Sequence, residues 1–220
     1  MNESERALRQ QVIDTCRRLE ALGLNQGTSG NVSVRCGPDH ADGFFLTPTS
    51  LPYDRMVPED IVHVNPAGQC SGPRRPSSEL PFHLEIMRTR PDATAIVHTH
   101  SAHATAVSCL RREIPAVHYL VGLFGGATLR CADYATFGTP ELSANLLRAL
   151  TGRRGALLAN HGLVVLGASL DQALSLTLEA ETLAAIYLRT LAAGDPVILP
   201  EEEMARIVGK FRAFGYGPVA

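Results

Sequence analysis

The sequence predicts an α+β protein in which one central, mostly antiparallel sheet is flanked by helices, in a three-layer α/β/α-like arrangement. Two observations support this class. Apolar residues recur at helical spacing near both ends of the chain, at 8–22 and from Ser169 to Gly194. Between them lie short β-branched runs bounded by glycine- and proline-containing turns, which is typical of strands. We expect residues 1–220 to form a single domain.

Helices are predicted where apolar spacing coincides with start and stop signals. One helix should run from Ser77 and stop before Pro91, because the residue before a proline disfavours the helical conformation. Ser169, with Gln172 three residues later, forms a capping box that opens the long helix. A last amphipathic helix is predicted at 200–213, and the alanine-rich stretch after 100 could begin another.

Short strands are predicted in the middle of the chain. The segments concerned are 32–34, 44–49, 61–64, 93–100 and the two apolar runs on either side of Asn160-His161-Gly162. Residues 66–76 contain glycine, serine and three prolines and are predicted to be a loop.

Composition excludes several classes of protein. Apolar residues make up 45% and charged residues 19%, and the formal net charge is −2, which gives no reason to expect a nucleic acid or a membrane as partner. The first residues are charged where a secretory signal needs an apolar core. The five cysteines are scattered without a C-x-x-C pair, as in a reduced protein. We therefore expect a cytoplasmic protein.

Three histidines form a candidate metal site. His98 and His100 are two apart in a predicted strand, so both side chains leave the same face. His161 lies in another apolar segment, where Gly162 allows a close approach of the backbone. Three neutral imidazoles and one exchangeable position are the pattern of a catalytic zinc site. The spacing of these residues in the sequence does not by itself predict that His161 lies close to His98 and His100.

The remaining histidines are expected to be ordinary core or surface groups. His103 is a stronger candidate for a metal ligand, because it lies only three residues after His100. Its side chain would face the opposite way from that of His100 if the strand continued. The others are His40, His63, His83 and His118.

Two segments could bind an anion. Ser77, Ser78 and Glu79 lie at a predicted helix start, where serines can be simple N-caps and an acidic residue complements the helix dipole. The same helix terminus with two hydroxyls also suits a phosphate. The G-T-S-G-N turn at 27–31 can direct backbone N–H groups at an anion, although it is not a P-loop. Together these features indicate a metal enzyme that acts on a phosphorylated small molecule.

Ordered motifs along nearly the whole chain resemble one family. They include LGLNQGTSGNVSVR, LTPTSLPYDRM, PSSELPFH, AIVHTHSAHATAVS, IPAVHYL, YATFGTPELS and ANHGLVV. These motifs are similar to those of the class II, zinc-dependent sugar-phosphate aldolases, a family that includes L-fuculose-1-phosphate aldolase, L-ribulose-5-phosphate 4-epimerase and the adducin head domain. The resemblance implies the class II aldolase fold, assembled as a homotetramer with active sites at subunit interfaces.

The resemblance also implies roles for individual residues. His98, His100 and His161 match the zinc ligands, with Mn²⁺ or Co²⁺ as alternative ions, and Glu79 matches the acidic residue that ligates the metal and transfers a proton. Tyr119 matches a tyrosine that acts on the aldehyde oxygen from a neighbouring subunit. The residues matching the phosphate contacts are Gly30, Asn31, Thr49, Ser77 and Ser78, with Ser50 beside them where the fuculose enzyme has glycine.

The implied reaction is reversible cleavage of a ketose 1-phosphate to dihydroxyacetone phosphate and an aldehyde, through a zinc-stabilised enediolate. A partly dry site should raise the pKa of Glu79 toward neutrality. Phe214 replaces a family tyrosine that reaches the aldehyde end, unless Tyr216 compensates, so we expect tolerance for 5-deoxy- or 5-methylthio-ribulose 1-phosphate besides L-fuculose 1-phosphate. The alternatives are a 4-epimerase, a decarboxylase or a dehydratase on the same scaffold, and a non-catalytic interaction domain.

Overall fold

A computed structural model describes residues 1–37 and 43–215 of the chain. Its centre is an eight-stranded sheet. In chain order the strands are β1 (Asn31–Arg35), β2 (Phe44–Leu46), β3 (Val62–Val64), β4 (Cys70–Ser71), β5 (Ala95–Thr99), β6 (Cys131–Ala132), β7 (Gly155–Leu158) and β8 (Gly162–Gly167). Their spatial order is β4-β3-β2-β1-β5-β8-β7-β6. Every neighbouring pair is antiparallel except β6 and β7, which confirms the mostly antiparallel sheet.

Six α-helices are present among the described residues: α1 (Glu3–Ala21), α2 (Leu80–Thr89), α3 (Ala102–Cys109), α4 (Pro140–Ala149), α5 (Leu170–Ala193) and α6 (Glu201–Ala213). Three short 3₁₀ helices cover Tyr53–Arg55, Pro58–Asp60 and Tyr119–Phe124. None of the described helices is long and apolar enough to cross a membrane. The expectations for His40 and Tyr216 fall outside the described residues.

Helices cover both faces of the sheet, as the alternation of side chains along a strand requires. On one face Ile96 of β5 packs in a cluster with Phe82 of α2 and Leu146 of α4. On the other face Val97 packs in a cluster with Val12 of α1. A third cluster joins the same second face, farther along the sheet, to α3, α5 and α6. The helix-sheet-helix layering confirms the predicted fold class.

Several predicted boundaries differ from the structure. The helix predicted from Ser77 begins at Leu80, and the strand predicted at 44–49 ends at Leu46. The loop predicted at 66–76 contains the two-residue strand β4, which pairs with β3. The long helix agrees closely: the Ser169 hydroxyl accepts a hydrogen bond from the Gln172 N–H, and the helix ends before Gly194.

Candidate active site

The central strands place the first two histidines. His98 on β5 lies opposite Asn31 on β1 and Val164 on β8, so it sits in the middle of the sheet and is fully buried. His100 follows directly after the end of β5, on the same face two residues later. Because this face is covered by α2, the imidazole of His98 packs edge-on against Phe82 with ring centroids 5.6 Å apart.

The turn between β7 and β8 places the third histidine. His161 follows Asn160, whose φ of 53° is in the left-handed region, and the turn is held by Ser108 at the end of α3. A Cβ on Gly162 would collide with the carbonyl oxygen of Thr99 and lie 3.0 Å from the imidazole of His100. The prediction that Gly162 allows a close approach of the backbone is therefore confirmed.

The three imidazoles converge on one point. Each pair of ring centroids is 4.9 Å apart, and one ligand nitrogen from each ring lies within 4.8 Å of the others. The Nδ1 of His98 lies 3.0 Å from the backbone oxygen of Leu163, so Nδ1–H donates there and leaves the Nε2 lone pair free for an ion. His98, His100 and His161 can thus hold one metal ion.

Glu79 contributes a carboxylate to the same point. It is the N-cap residue of α2 and is buried. Its Oε2 lies 2.9 Å from Nε2 of His98, and its Oε1 lies 3.1 Å from Nε2 of His161. Within the described residues Oε1 makes no hydrogen bond, which is unusual for a buried carboxylate oxygen. A buried, unsatisfied oxygen beside three imidazole nitrogens fits a divalent cation.

The pKa values of this cluster suit metal ligation and correct one expectation. Burial favours a raised pKa for Glu79, but the close approach of the His98 and His161 imidazoles outweighs it, so the pKa lies well below its ordinary value. The expected rise toward neutrality is therefore wrong for the metal-free chain. Burial, together with the charges of His98 and His161, lowers the pKa of His100 to about 4. At neutral pH the cluster offers an ionised carboxylate and a neutral His100.

A buried chain of hydrogen bonds leads away from Glu79. Its Oε2 accepts a hydrogen bond from Nδ2 of Asn31 at 2.9 Å, and Oδ1 of Asn31 lies 2.5 Å from Nε2 of His83. Nδ1 of His83 lies 2.7 Å from Oγ of Ser33. Burial lowers the pKa of His83 to about 3, so the ring is neutral. His83 is a satisfied core histidine, as predicted, but its connection to Glu79 was not predicted.

Three segments bring the candidate phosphate-binding residues together beside Glu79. The hydroxyl of Thr47 accepts a hydrogen bond from the N–H of Val32, next to Gly30 and Asn31. The N–H of Thr49 donates to the carbonyl of Arg75, in the segment that continues to Ser77 and Ser78. Gly30 is required here, because a Cβ would lie 2.6 Å from the backbone oxygen of His98.

Two of these residues have conformations that the sequence does not reveal. Ser50 has a φ of 58°, in the left-handed region that favours glycine, and its hydroxyl lies 3.2 Å from that of Thr49. Ser77 does not cap the helix, since α2 begins three residues later, and its hydroxyl instead accepts a hydrogen bond from the N–H of Glu79 at 3.2 Å. Ser77 therefore fixes the backbone that carries the carboxylate.

A cavity of about 270 Å³ opens beside the histidines. Glu79, His100 and His161 line it, together with Ser29, Ser78 and two aromatic residues, Tyr134 and Phe137. These aromatic side chains are 52% and 62% exposed. Sequence reasoning missed them as site residues, although two aromatics three residues apart, the second next to the turn glycine Gly138, are the type of pattern that can indicate a binding surface.

Tyr119 lies apart from this cavity. It is 47% exposed, at the start of the third 3₁₀ helix, and lines a separate, largely apolar cavity of about 630 Å³ with Phe211 and Phe214. Phe214 is 75% exposed. The structure of one chain therefore does not bring Tyr119 to the three histidines.

His103 does not join the metal cluster. Its Nδ1 lies 2.7 Å from the carboxylate of Glu181 on α5, which also accepts hydrogen bonds from the N–H groups of His103 and Ala104. Glu181 thereby satisfies free N–H groups in the first turn of α3 and anchors the segment directly after His100.

Comparisons with known proteins agree with this geometry. The sequence model of the class II aldolase and adducin N-terminal domain family matches residues 10–188. The chain is 48% identical over 209 residues to an L-fuculose phosphate aldolase of Escherichia coli O6:H1, covering 94% of this chain and 95% of that protein. It is 46% identical over 215 residues to a 5-methylthioribulose-1-phosphate/5-deoxyribulose-1-phosphate aldolase of Rhodospirillum rubrum, covering 98% and 96%. A solved structure of L-fuculose 1-phosphate aldolase matches with a TM-score of 0.90 at 38% identity, covering 96% of this chain and 98% of that one.

Proposed function

Because the chain belongs to the class II aldolase and adducin N-terminal domain family, we propose that it is a metal-dependent aldehyde-lyase that reversibly cleaves a ketose 1-phosphate. The products are dihydroxyacetone phosphate and an aldehyde. The observation that carries the proposal is the meeting of three imidazole nitrogens and the Glu79 carboxylate at the wall of a cavity. The relatives named above, which act on fuculose, methylthioribulose and deoxyribulose phosphates, support the substrate class.

We propose zinc as the resident metal, held by His98, His100 and His161 with Glu79. Three imidazoles and a carboxylate, with room for a substrate oxygen, form a ligand set that zinc accepts readily. Mn²⁺ and Co²⁺ are the alternatives that imidazole and carboxylate ligands also bind. When bound, the ion supplies a Lewis acid that stabilises negative charge on the ketose oxygens.

Glu79 is proposed to move the proton of the reaction. Cleavage breaks the bond between carbons 3 and 4; the hydroxyl on carbon 4 loses its proton, and the bonding electron pair stays with carbon 3. Carbon 3 must then gain a proton before dihydroxyacetone phosphate leaves. Glu79 is the carboxylate that borders the cavity at the histidines, and its Oε1 has no hydrogen bond within the described residues. In the synthetic direction the ionised Glu79 is suited to accept the proton that carbon 3 of dihydroxyacetone phosphate loses. In the cleavage direction Glu79 first takes up a proton from solvent and then transfers it to carbon 3.

The phosphate is proposed to bind where three segments meet: at Gly30 and Asn31, at Thr49 and Ser50, and at Ser77 and Ser78. The contacts between these segments support a common site. Backbone N–H groups and hydroxyls at such a junction suit an anion, and binding the phosphate fixes the reacting carbons over the metal ligands.

Tyr119 is proposed to handle the proton of the aldehyde oxygen in the active site of a second subunit. Its position supports this assignment, because the exposed Tyr119 ring and the cavity shared with Phe214 lie apart from the histidines of the same chain. The assembly we propose is a homotetramer with active sites at subunit interfaces, located in the cytoplasm.

The aldehyde end of the substrate is proposed to be less hydroxylated than in a strict fuculose enzyme. Phe214 offers no hydroxyl, and Tyr134 and Phe137 add apolar surface to the cavity. We therefore expect 5-deoxy- and 5-methylthio-ribulose 1-phosphates to be cleaved alongside L-fuculose 1-phosphate. A strong preference for fuculose 1-phosphate would contradict this part of the proposal.

Two other functions fit the scaffold less well. A 4-epimerase, decarboxylase or dehydratase would use the same metal ligands on another substrate, but these activities are not the ones named for the relatives reported above. A non-catalytic interaction domain would have no use for a buried carboxylate that faces three imidazoles. Metal content distinguishes the non-catalytic interaction domain from the enzymes. A purified protein that contains no divalent metal and is not activated by one would favour the interaction domain.

The reaction is tested by supplying candidate ketose 1-phosphates to the zinc-loaded protein and measuring dihydroxyacetone phosphate. Release of both products in equal amounts is expected. Conversion to an epimer or to a dehydrated sugar, without dihydroxyacetone phosphate, would assign one of the alternative activities instead.

A further inference from the structure

We propose that His83 is a positioning residue that acts on Glu79 through Asn31 and fixes which carboxylate oxygen remains available for chemistry. The inference rests on the proposed metal site, which it deepens. His83 is fully buried on α2, one helical turn after Glu79. Its backbone N–H donates to the Glu79 carbonyl, but its imidazole forms its hydrogen bonds with Asn31 and Ser33 and does not line the cavity.

Every link in the chain has a determined polarity. The ionised carboxylate of Glu79 can only accept, so Asn31 must present its Nδ2–H group to Oε2. Oδ1 of Asn31 then faces Nε2 of His83, which must carry the single proton of the neutral ring. Nδ1 of His83 is left as an acceptor, and the hydroxyl of Ser33 donates to it. If His83 carried its proton on Nδ1 instead, two acceptors would face each other at 2.5 Å.

The sheet and α2 hold the hydrogen-bonded residues Glu79, Asn31, His83 and Ser33 in fixed positions. Asn31 and Ser33 are two apart on β1, so both side chains leave the face that is covered by α2. Asn31 is also the cross-strand partner of His98, which places the amide beside the first candidate ligand. The ring of His83 stacks on Phe82 with centroids 4.6 Å apart. Each group in the chain is therefore held by a strand or a helix, not by a mobile loop.

Packing alone does not account for a histidine at position 83. Its neighbours on the same buried side of α2, Phe82 and Ile86, are apolar and belong to the core cluster there. A leucine would fill similar space without the free-energy cost of burying a polar ring. The specific contribution of His83 is a donor for Asn31, and through it an oriented amide for Glu79.

As a consequence, the two carboxylate oxygens of Glu79 have different roles. Asn31 binds Oε2, so the carboxylate cannot rotate freely, and Oε1 is the oxygen without a hydrogen bond. We infer that Oε1 is thereby kept available for a cation or a proton. If His83 could not donate, the amide of Asn31 could turn over and present an oxygen to the carboxylate.

A double-mutant cycle on metal affinity tests this. Zn²⁺ dissociation constants are measured by competition with a chelator for the wild type, His83→Leu, Glu79→Ala and the double variant. We expect His83→Leu to weaken zinc binding about 10- to 100-fold, the effect of removing a partner of a metal ligand. In the Glu79→Ala background the same change should alter affinity less than twofold, because its effect passes through Glu79.

The cycle has a matched control and a rescue. Ile86→Ala removes a fully buried side chain from the same helix, and it should lower thermal stability without weakening zinc binding. His83→Gln keeps an N–H donor near the position of Nε2 and should restore most of the affinity. Equal losses for His83→Leu in both backgrounds, or no loss in either, would overturn the proposal.

The tautomer of His83 gives a second readout that needs no metal. Nitrogen-15 NMR of histidine-labelled, metal-free protein should show one neutral ring protonated at Nε2 that disappears in His83→Gln. A ring protonated at Nδ1 would overturn the proposed polarity. If the wild type bound no zinc at all, the proposed metal site would fail, while the NMR result would still decide the orientation of Asn31.

Discussion

His98 on β5 and Asn31 on β1 are cross-strand partners, so a candidate metal ligand and the amide that binds Glu79 leave the same face of the sheet side by side. The carboxylate reaches the same place from the first residue before α2. Four elements thus meet at one point: two central strands, the turn before β8 and the start of a helix. This arrangement builds the site on elements at the centre of the sheet, where Asn31, Glu79 and His98 are buried.

The first prediction concerns the imidazole ligands. His98→Ala or His161→Ala should lower metal content and activity together, each by about 100-fold or more, because a ligand lost outright costs more than its supporting partner. Metal is measured by elemental analysis after gel filtration, and activity by dihydroxyacetone phosphate release. His63→Ala, on the strand β3 away from the cluster, serves as the control. Activity that survives in a metal-free His98→Ala protein would contradict the assignment.

The second prediction separates ligation from proton transfer. At saturating zinc Glu79→Gln should still hold most of the metal, because the three imidazoles remain, but lower kcat by about 100- to 10,000-fold, the usual contribution of a general acid or base. Glu85→Gln, at a partly exposed residue of α2 that pairs with Arg88, is the matched control. A Glu79→Gln enzyme with near-normal kcat would remove Glu79 from the mechanism.

The third prediction uses the close approach at Gly162. Gly162→Ala should displace the turn that carries His161 and weaken metal binding, because the new Cβ meets the Thr99 carbonyl and the His100 ring. Gly209→Ala on α6 is the control, since nothing lies within 4 Å of its added Cβ. That variant should keep its metal and gain up to about 1 kcal/mol of stability from better helix propensity. Equal metal content in both variants would contradict the geometry.

The fourth prediction follows from the left-handed conformation of Ser50. Ser50→Gly should raise the free energy of unfolding by about 0.5–1 kcal/mol, because glycine adopts a φ of 58° without steric cost. Denaturant titration measures the change. Ser71→Gly, in the exposed strand β4, should instead be neutral or destabilising. A Ser50→Gly protein that is less stable than the wild type would show that the serine side chain contributes more than its backbone strain removes.

The fifth prediction concerns acid stability of the metal-free protein. His83 has a pKa of about 3 in the folded chain, against an ordinary value of 6.5. Between these values the unfolded chain binds a proton that the folded chain does not, so stability falls as pH decreases from about 6.5 toward 3. The limiting slope is about 1.4 kcal/mol per pH unit for one such group. His83→Gln should flatten the unfolding free energy between pH 6 and 4; an unchanged slope would mean that the buried ring is protonated in the folded state.

Much of the fold was predictable from local patterns, and the exceptions have physical reasons. The two-residue strands β4 and β6 exist only through pairing with β3 and β7, so no periodicity could reveal them. Helix α4 was missed although its start carries a readable signal. Thr139 caps it and Pro140 occupies its first position.

Part of the candidate site could also be predicted from the sequence, and part could not. The spacing of His98 and His100 predicts a shared face, and the structure confirms that these rings converge with His161 as a group able to hold a metal. The partners of His83 could not be read from the sequence, because Ser33, Asn31 and Glu79 meet it only after β1 and α2 pack together. The same holds for Ser50, whose backbone conformation is set by the turn it occupies.

The central claim is that His98, His100, His161 and Glu79 hold a divalent metal that makes this chain an aldolase for ketose 1-phosphates. The most direct measurement is dihydroxyacetone phosphate release from L-fuculose, 5-deoxyribulose and 5-methylthioribulose 1-phosphates by one preparation, first stripped of metal and then reloaded with zinc. We predict no release from the stripped protein and stoichiometric release of dihydroxyacetone phosphate and aldehyde after zinc is restored. A zinc-loaded protein that cleaves none of the three, or a stripped protein that cleaves them equally well, would contradict the account.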